Sequence, residues 1–164
     1  MSYATFDYCE ELYPDLTEKE YNLYSWETKH EIDKHTSGVD GVKKLKIAFP
    51  TDEDNAEAVK RCFAHLLYSL AQIGRERTNL AKASEPIEIN GQIAMGPVSS
   101  VSSGSESISF ASGTQKSSYY MAATDPKEKS KLIVSIIREY LSEVKDDNGI
   151  NLLYGGVYPC IKTR

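Results

Sequence analysis

The chain has 164 residues and a formal net charge of −5, and 40% of its residues are hydrophobic. These totals suit one domain with a modest core and exclude a wholly disordered chain. No apolar run approaches the roughly 18 residues that cross a bilayer, and the acidic start "MSYATFDYCEELYPDL" lacks the basic region and apolar core of a signal peptide. We therefore expect the protein to stay in the cytoplasm of the cell that makes it.

Two helices are predicted in the N-terminal part of the chain. The first runs from Thr5 to about Tyr13, where a proline follows. The second begins at Thr17, which forms a capping box with Glu20, and it stops at the Ser-Gly pair of residues 37–38. Its buried face is predicted from three- and four-residue spacing: Tyr21, Tyr24, Thr28, Ile32 and His35.

A connector and then a long central helix follow. The connector "VDGVKKLKIAFP" is expected to contain a short extended piece. Thr51 and Asp54 then provide a capping signal for a helix that reaches about Lys82, a length of roughly 45 Å. A wide apolar stripe predicts that this helix is the centre of the core: Val59, Cys62, Phe63, Leu66, Leu67, Leu70 and Ile73.

Residues 84–124 form a polar excursion between the two most apolar helices. The segment "IEINGQIAM" alternates around Asn90-Gly91 and predicts a β-hairpin, because this dipeptide tolerates positive φ at both turn positions. The serine-rich segment "PVSSVSSGSESISFASGTQKSS" follows, and within it Ile108 and Phe110 alternate with small residues as in a strand. A slack linker is the alternative interpretation of this serine-rich segment.

The last helix is predicted to begin at Asp125, with Pro126 in the first turn and Glu128 three residues after the cap. The stretch "DDNG" ends it, and its buried stripe is predicted to be Ile133, Ile136, Ile137, Tyr140, Leu141 and Val144. An apolar tail, residues 150–164, has no evident place in the bundle. We expect it to dock on something, because frayed chain ends are usually polar.

The predicted fold is therefore mainly α and forms a single domain over residues 1–164. A small helical bundle comprises about residues 5–82 and 125–145. The β-hairpin and serine-rich loop, residues 84–124, are inserted before the last helix, and the tail extends from the bundle. No internal repeat of solenoid length is visible.

No constellation of side chains predicts an enzyme, a metal site or a cofactor. Serines are plentiful, but no GxSxG motif accompanies them, and the glycines are too dispersed for a phosphate-binding loop. The cysteines lack a CxxC spacing and make no ligand pattern with the histidines: Cys9, Cys62, Cys160, His30, His35 and His65. We expect a protein that catalyses no reaction.

Charge is unevenly spread along the chain. Residues 1–57 hold 14 acidic and 6 basic side chains, net −8, whereas residues 58–164 are net +3. No basic stripe of the kind that neutralises phosphates is visible. Either these charges are solvated faces, or the acidic half of one copy meets the basic half of the next in a head-to-tail ring.

Three segments carry a resemblance to a known family. The opening "YATFDYCEELYPDLTEKEYNLYSWETKHEIDKHTSG" is similar to a pair of N-terminal helices in that family, and "EAVKRCFAHLLYSLAQI" to its apolar central helix. The ending "IIREYLSEVKDDNGINLLYGGV" is the most specific, with a terminal helix, a short polar gap and an apolar tail. In their order and spacing these segments resemble the head–tail connector proteins, also called adaptor or head completion proteins, of long-tailed bacteriophages and prophages.

The resemblance implies a structural protein of the virion, located between head and tail. Such proteins assemble as a ring, usually dodecameric, beneath the portal vertex, where they extend the DNA channel and present a platform for a stopper or tail completion protein. Double-stranded DNA passes through without specific binding, and no membrane or cofactor is involved. The tail is expected to contact the portal through Leu152, Leu153, Tyr154, Gly155, Gly156 and Val157. The loop is expected to face the channel or the neighbouring subunit through Asn90, Gly91, Ser103, Ser105, Ser107, Ile108 and Phe110.

The serine-rich segment suits such a channel lining. Each lysine or arginine on phosphate would add affinity for DNA, whereas serine keeps a surface hydrated and close to neutral. The alternative function, from another class, is a helical protein-binding or regulatory module that holds a single partner with its tyrosine- and leucine-rich helix faces.

Overall fold

The computed structural model describes residues 2–82 and 117–157 in full, together with the backbone of Ala83 and of four short strands between them. The helices in these residues are α1 (Phe6–Leu12), α2 (Glu18–Thr36), α3 (Lys44–Ile47), α4 (Glu53–Ala83), α5 (Ser118–Thr124) and α6 (Pro126–Leu141). The strands are β1 (Ile87–Ile89), β2 (Gln92–Ala94), β3 (Ser100–Ser103) and β4 (Glu106–Ser109). The mainly helical fold predicted from the sequence is confirmed.

Two helix starts follow the capping signals of the sequence, whereas α4 is capped by Asp52, whose Oδ1 accepts from Asn55 N at 3.0 Å, and not by the predicted Thr51. At α2, Thr17 N donates to Glu20 Oε2 at 3.0 Å and Thr17 Oγ1 accepts from Glu20 N at 3.3 Å, the reciprocal bonds of a capping box. At α6, Asp125 Oδ1 accepts from Lys127 N at 2.8 Å, and Pro126 takes the first helical position. Both predicted starts are confirmed.

The prediction for the connector is incomplete, and that for the end of the last helix is wrong. The connector after α2 has a short extended piece, the antiparallel bridge between Ser37 and Lys43, but it also contains the short helix α3, which was not predicted. The last helix ends at Leu141, earlier than predicted, and Val144 is buried although it lies beyond the helix. Burial of a periodic residue therefore does not require that the helix continue to it.

Helix α5 lies within the residues that the sequence predicts as loop. Ser117 caps it, because its hydroxyl accepts from Tyr120 N at 3.1 Å. Ala122 is fully buried, and α5 packs against both α4 and α6. A helix of seven residues is too short to stand alone, so packing on its neighbours stabilises it.

Helix α4 runs through the centre of the core and packs against α1, α2, α5 and α6. Its predicted apolar stripe is confirmed, since all of its members are buried: Val59, Cys62, Phe63, Leu66, Leu67, Leu70 and Ile73. Each such side chain stabilises the fold by about 1.5–3 kcal/mol relative to exposure. Neither α4 nor another helix of the described residues is both long and apolar enough to cross a membrane.

The four strands pair two by two. Strand β1 lies antiparallel to β2, with Ile89 opposite Gln92, and β3 lies antiparallel to β4, with Ser103 opposite Glu106. The turn predicted at residues 90–91 falls outside the described residues. The hairpin around that turn therefore stays a prediction.

Candidate functional site: the C-terminal strap

The chain turns back after α6 and then runs along the bundle as a strap, which we define as residues 150–157. Asp146 organises the turn, because its Oδ1 accepts from Asn148 N and from Ile150 N, both at 2.9 Å. Gly149 has a φ of +74°, the left-handed conformation that glycine adopts at little cost. The polar "DDNG" stretch thus directs the tail back onto the helices.

The first part of the strap, residues 150–153, is its root, and Leu152 fixes it on the bundle. Its N–H donates to Val144 O at 2.9 Å, and its side chain is fully buried in the core of the bundle. Asn151 secures the same turn, since its Nδ2 donates to Ser142 O at 2.6 Å and its Oδ1 accepts from Leu153 N at 2.8 Å. The root is therefore held by both apolar burial and hydrogen bonds.

Lys44, from α3, is the second residue that holds the root in place. Its side chain is fully buried, and Nζ donates to Asn151 O at 3.3 Å, to Leu152 O at 3.0 Å and to Tyr154 O. Burial lowers the pKa of Lys44, and nearby acidic groups, among them Asp146, oppose that change. The three carbonyl oxygens match the three N–H donors of an ammonium group, so a buried cation is satisfied by the backbone of the strap.

The strap also touches the connector that precedes α3. A Cβ atom at Gly38 would lie 2.5 Å from Gly156 O, closer than real Cβ atoms approach. A Cβ atom at Gly156 would in turn meet the ring of Tyr154, whereas one at Gly155 would have open space. Contact with backbone therefore requires glycine at Gly38, whereas a side chain at Gly156 would displace only the exposed ring of Tyr154.

The structure divides the predicted portal-contacting residues into two groups. Leu152 is buried in the chain's own core, and Leu153 and Gly156 are half-buried. Tyr154 is 54% exposed and Val157 is 66% exposed, and Gly155 is exposed as well. The expectation that the tail has no place in the bundle is wrong for its root. The outer part of the strap, residues 154–157, is its tip, and the tip presents apolar side chains to solvent.

The predicted loop residues are not brought to the strap by any described contact. Ser103, at the end of β3, pairs with Glu106, and on β4 Ser107 and Ile108 pair with residues of β3. The remaining residues of that prediction lie outside the described part of the chain: Asn90, Gly91, Ser105 and Phe110. Their role in a channel or subunit contact stays a prediction.

The buried thiols and imidazole pack and form no reactive arrangement. Burial raises the pKa of Cys9 to about 11 and that of Cys62 to about 12, so both thiols are protonated near neutral pH. His65 lies between the rings of Tyr13 and Tyr140, with centroid distances of 6.1 and 5.6 Å, and burial lowers its pKa. Within residues 2–82 and 117–157, no group of three or more His, Cys, Asp or Glu side chains could hold a metal ion.

Lys44 is the site residue that sequence reasoning missed. In "VKKLKIAFP" it stands between other lysines, and nothing in the pattern distinguishes it from them. Lys46, two residues further along the same short helix, is exposed. The helix of four residues and the distant strap together decide which lysine is buried.

The chain was compared with models of protein families, with curated proteins and with solved structures, and nothing matched. The likeness to phage connectors in helix order and in the "LLYGGV" tail consequently stays a prediction. Among the structural observations, the strap with its fixed root and exposed tip is the one on which a function can be proposed.

Proposed function

We propose that this chain is a structural virion protein of the head–tail connector type, which forms a ring under the portal vertex. In this function it extends the DNA channel and joins the capsid to the tail or to the next completion protein. The order of its helices and the "LLYGGV" tail support the proposal. The observation that carries it is the strap, because a root fixed by Lys44 and Leu152 holds an exposed apolar tip at one place on the bundle.

Because the root is already fixed on the bundle, binding of the tip to a partner would cost less conformational entropy. Ordering a free tail upon binding would cost conformational entropy for each residue that becomes fixed. Here the bundle has already ordered the chain up to Tyr154, so less of that cost falls on the binding step. In a ring, many tips of modest affinity would act together, and their combined avidity would exceed that of one tip by orders of magnitude.

The exposed side chains define how the tip would bind. Tyr154 and Val157 are separated by two glycines, which would let the backbone of the tip approach a partner's backbone closely, as addition to the edge of a partner's sheet requires. Double-stranded DNA would pass through the ring without specific binding.

The test combines the purified chain with the portal and images the mixture by negative-stain electron microscopy. Annular particles on the portal are expected for the wild type. Substituting Tyr154→Ser together with Val157→Ser should reduce attachment on the order of a hundredfold, since every copy in the ring loses its contact. The matched control is Val39→Ser, which changes a residue that is 78% exposed on the connector and should leave attachment unchanged.

Complete removal of residues 150–164 would be a poor test. It would delete Leu152 from the core and take away the carbonyl partners of Lys44, so a connector and a compact regulator would both lose stability. The tip substitutions avoid this problem because their side chains are exposed. Absence of annuli beside the portal, with the fold intact, would contradict the proposal.

The alternative, a helical module that holds a single partner, is favoured by one observation. Trp26 is 74% exposed on α2, and large exposed aromatic side chains are enriched where proteins bind each other. A module of this type would form a complex of defined one-to-one stoichiometry. Light scattering of the complex distinguishes that outcome from a ring.

A further inference from the structure

A basic groove lies between the N-terminal segment, α2, the α3 region and α4. Its main cavity has a volume of about 870 Å³ and is lined by Trp26, Lys43 and Lys60, among others. A second cavity of about 430 Å³ shares Tyr3 and Lys60 with it and extends along the chain to Tyr8. Because the two cavities share a wall, they form an elongated trough of the kind that accepts a segment of another chain.

The groove is positively charged although the chain as a whole is acidic. Four lysines line the main cavity, Lys29, Lys43, Lys46 and Lys60, against one carboxylate, that of Asp33. They come from α2, the connector, α3 and α4, and only the fold brings them together. A local excess of this kind attracts an anionic partner even when the net charge is −5, because salt screens charges beyond about 10 Å.

Two of these lysines lie close to the carboxylate of Asp33 at the bottom of the groove. Lys29 Nζ lies 3.1 Å from Asp33 Oδ2 and 4.1 Å from the centre of the Tyr3 ring, and the Tyr3 hydroxyl also donates to Asp33. Lys43 Nζ is 3.9 Å from the same carboxylate. The nearly buried carboxylate of Asp33 is thus already neutralised, which leaves the charge of the other lysines for a ligand.

Lys46 and Lys60 are those other lysines. Neither makes an ion pair within 4 Å of a described carboxylate, in contrast to Lys29 and Lys43. Lys60 does act at longer range on Glu57, which is itself held by the Tyr8 hydroxyl at 2.6 Å. The rim of the groove therefore carries two ammonium groups that a partner's anions can reach.

The centre of the groove is aromatic and apolar. Trp26 stacks on His30 with a centroid distance of 5.2 Å and an interplanar angle of 7°, which holds an exposed indole in place. Phe49 and Leu45 line the same cavity. An apolar, aromatic centre with a charged rim is the usual anatomy of a protein-binding site.

We propose that the basic groove binds an acidic segment of another protein. Its carboxylates would pair with Lys46 and Lys60, and one apolar side chain would pack against Trp26 and Phe49. A single-stranded nucleic acid suits the groove less well, since such sites present several exposed rings on which successive bases stack, whereas the two exposed rings of this groove, Trp26 and His30, stack on each other. This inference does not depend on the ring proposed above.

Intrinsic fluorescence tests the proposal directly, because Trp26 is the chain's single tryptophan. The probe is a synthetic peptide of Glu and Ser with a central Leu-Leu pair, and its counterpart carries Gln in place of every Glu. The Glu peptide should shift the emission of Trp26 to shorter wavelength as the indole leaves water, and the Gln peptide should not. Raising the ionic strength should weaken the binding of the Glu peptide.

Charge reversal supplies the matched variants. Lys46→Glu combined with Lys60→Glu should lower the affinity for the Glu peptide on the order of tenfold or more, since two attractive contacts become repulsive. Lys82→Glu combined with Lys127→Glu changes the net charge equally at exposed positions outside the groove and should leave the affinity unchanged. Circular dichroism of both variants checks that the fold persists.

Five results would overturn the proposal. Three are an unchanged Trp26 emission with the Glu peptide, an equal response to the Gln peptide, and an equal loss of affinity in both double variants. The fourth is tighter binding of a thymidine oligonucleotide of the same charge, which would assign the groove to nucleic acid. A concentration-dependent shift of Trp26 emission without peptide, with self-association in light scattering, would instead assign the groove to a second copy and so also overturn the proposal.

Discussion

Lys44 and Arg75 both tie together segments that are far apart in the sequence, but their surroundings differ. Lys44 is fully buried, and carbonyl oxygens of the strap accept its hydrogen bonds. Arg75 keeps 33% of its side chain exposed and pairs with Asp15 and Glu20, each at 2.7 Å. The first contact joins α3 to the tail, and the second joins α4 to the start of α2.

The difference shows which tie sets the position of the tail. Water and salt screen the charges around Arg75, so its ion pairs contribute modestly to stability. If the strap left Lys44, no water could take over the hydrogen bonds of its ammonium group, because the side chain is fully buried. An unsatisfied buried polar group is costly. The strap root is thus a fixed structural contact, whereas the Arg75 cluster responds to pH and salt.

The largest effect is expected from the root of the strap itself. Leu152→Ala should lower the free energy of unfolding by about 2–5 kcal/mol, because it leaves a cavity in the core. Tyr154→Ala, two residues on and exposed, should change it by no more than about 0.5 kcal/mol. Urea denaturation measures both, and equal effects of the two substitutions would show that root and tip do not differ.

A somewhat smaller effect is expected at Lys44. Lys44→Met keeps the packing of the aliphatic stem but takes the ammonium donor away from the carbonyl oxygens of Leu152 and Tyr154, at a cost of about 2 kcal/mol, whereas Asn151 O keeps its bond from Tyr154 N at 3.1 Å. Lys46→Met, in the same helix and exposed, is the control and should cost less than about 0.5 kcal/mol. Limited proteolysis should cut the strap faster in the first variant only, and a strap equally protected in both would refute the role of Lys44.

The smallest effect, and one that depends on pH, is expected at Arg75. Its hydrogen bonds are the main cause that lowers the pKa of Glu20 from 4.5 to about 2. A carboxyl group whose pKa is lowered by folding stabilises the fold at any pH above its pKa in the unfolded chain. For Glu20 this contribution is lost as the pH falls from about 4.5 to about 2.

Arg75→Gln should therefore cost on the order of 1 kcal/mol at neutral pH and flatten the loss of stability on acidification. Its effect should shrink as salt is added, whereas the effect of Lys44→Met should not. Thermal unfolding across a pH series and a salt series measures both. If the effect of Arg75→Gln did not depend on salt, the contacts of Arg75 would not differ from those of Lys44 in their response to salt.

Patterns that span a few residues predicted their structures well. The capping box at Thr17 and the Asp125-Pro126 start depend on neighbours three residues away, and the structure has both. The apolar stripe of α4 also follows from local spacing, and it forms the core. Predictions failed at α3 and α5, which have four and seven residues, because so short a pattern carries little information and packing decides it.

The candidate site was predicted in part. The sequence marked the apolar tail as unusual, but it gave no means of separating a buried Leu152 from an exposed Tyr154. It showed no basic stripe, since the lysines of the groove are spread over three helices and the connector. Both properties depend on which segments meet.

The sequence alone determined where α2 and α6 begin and which face of α4 is buried, because these depend on hydrogen bonds and spacing within a few residues. The tertiary structure alone decided that Lys44 is buried while Lys46 is exposed, and that the tail has a fixed root and a free tip. The contacts that decide these points join Lys44 to residues 107 to 110 positions further along the chain. No local pattern specifies such a pairing, since it forms only when packing brings the two segments to the same side of the bundle.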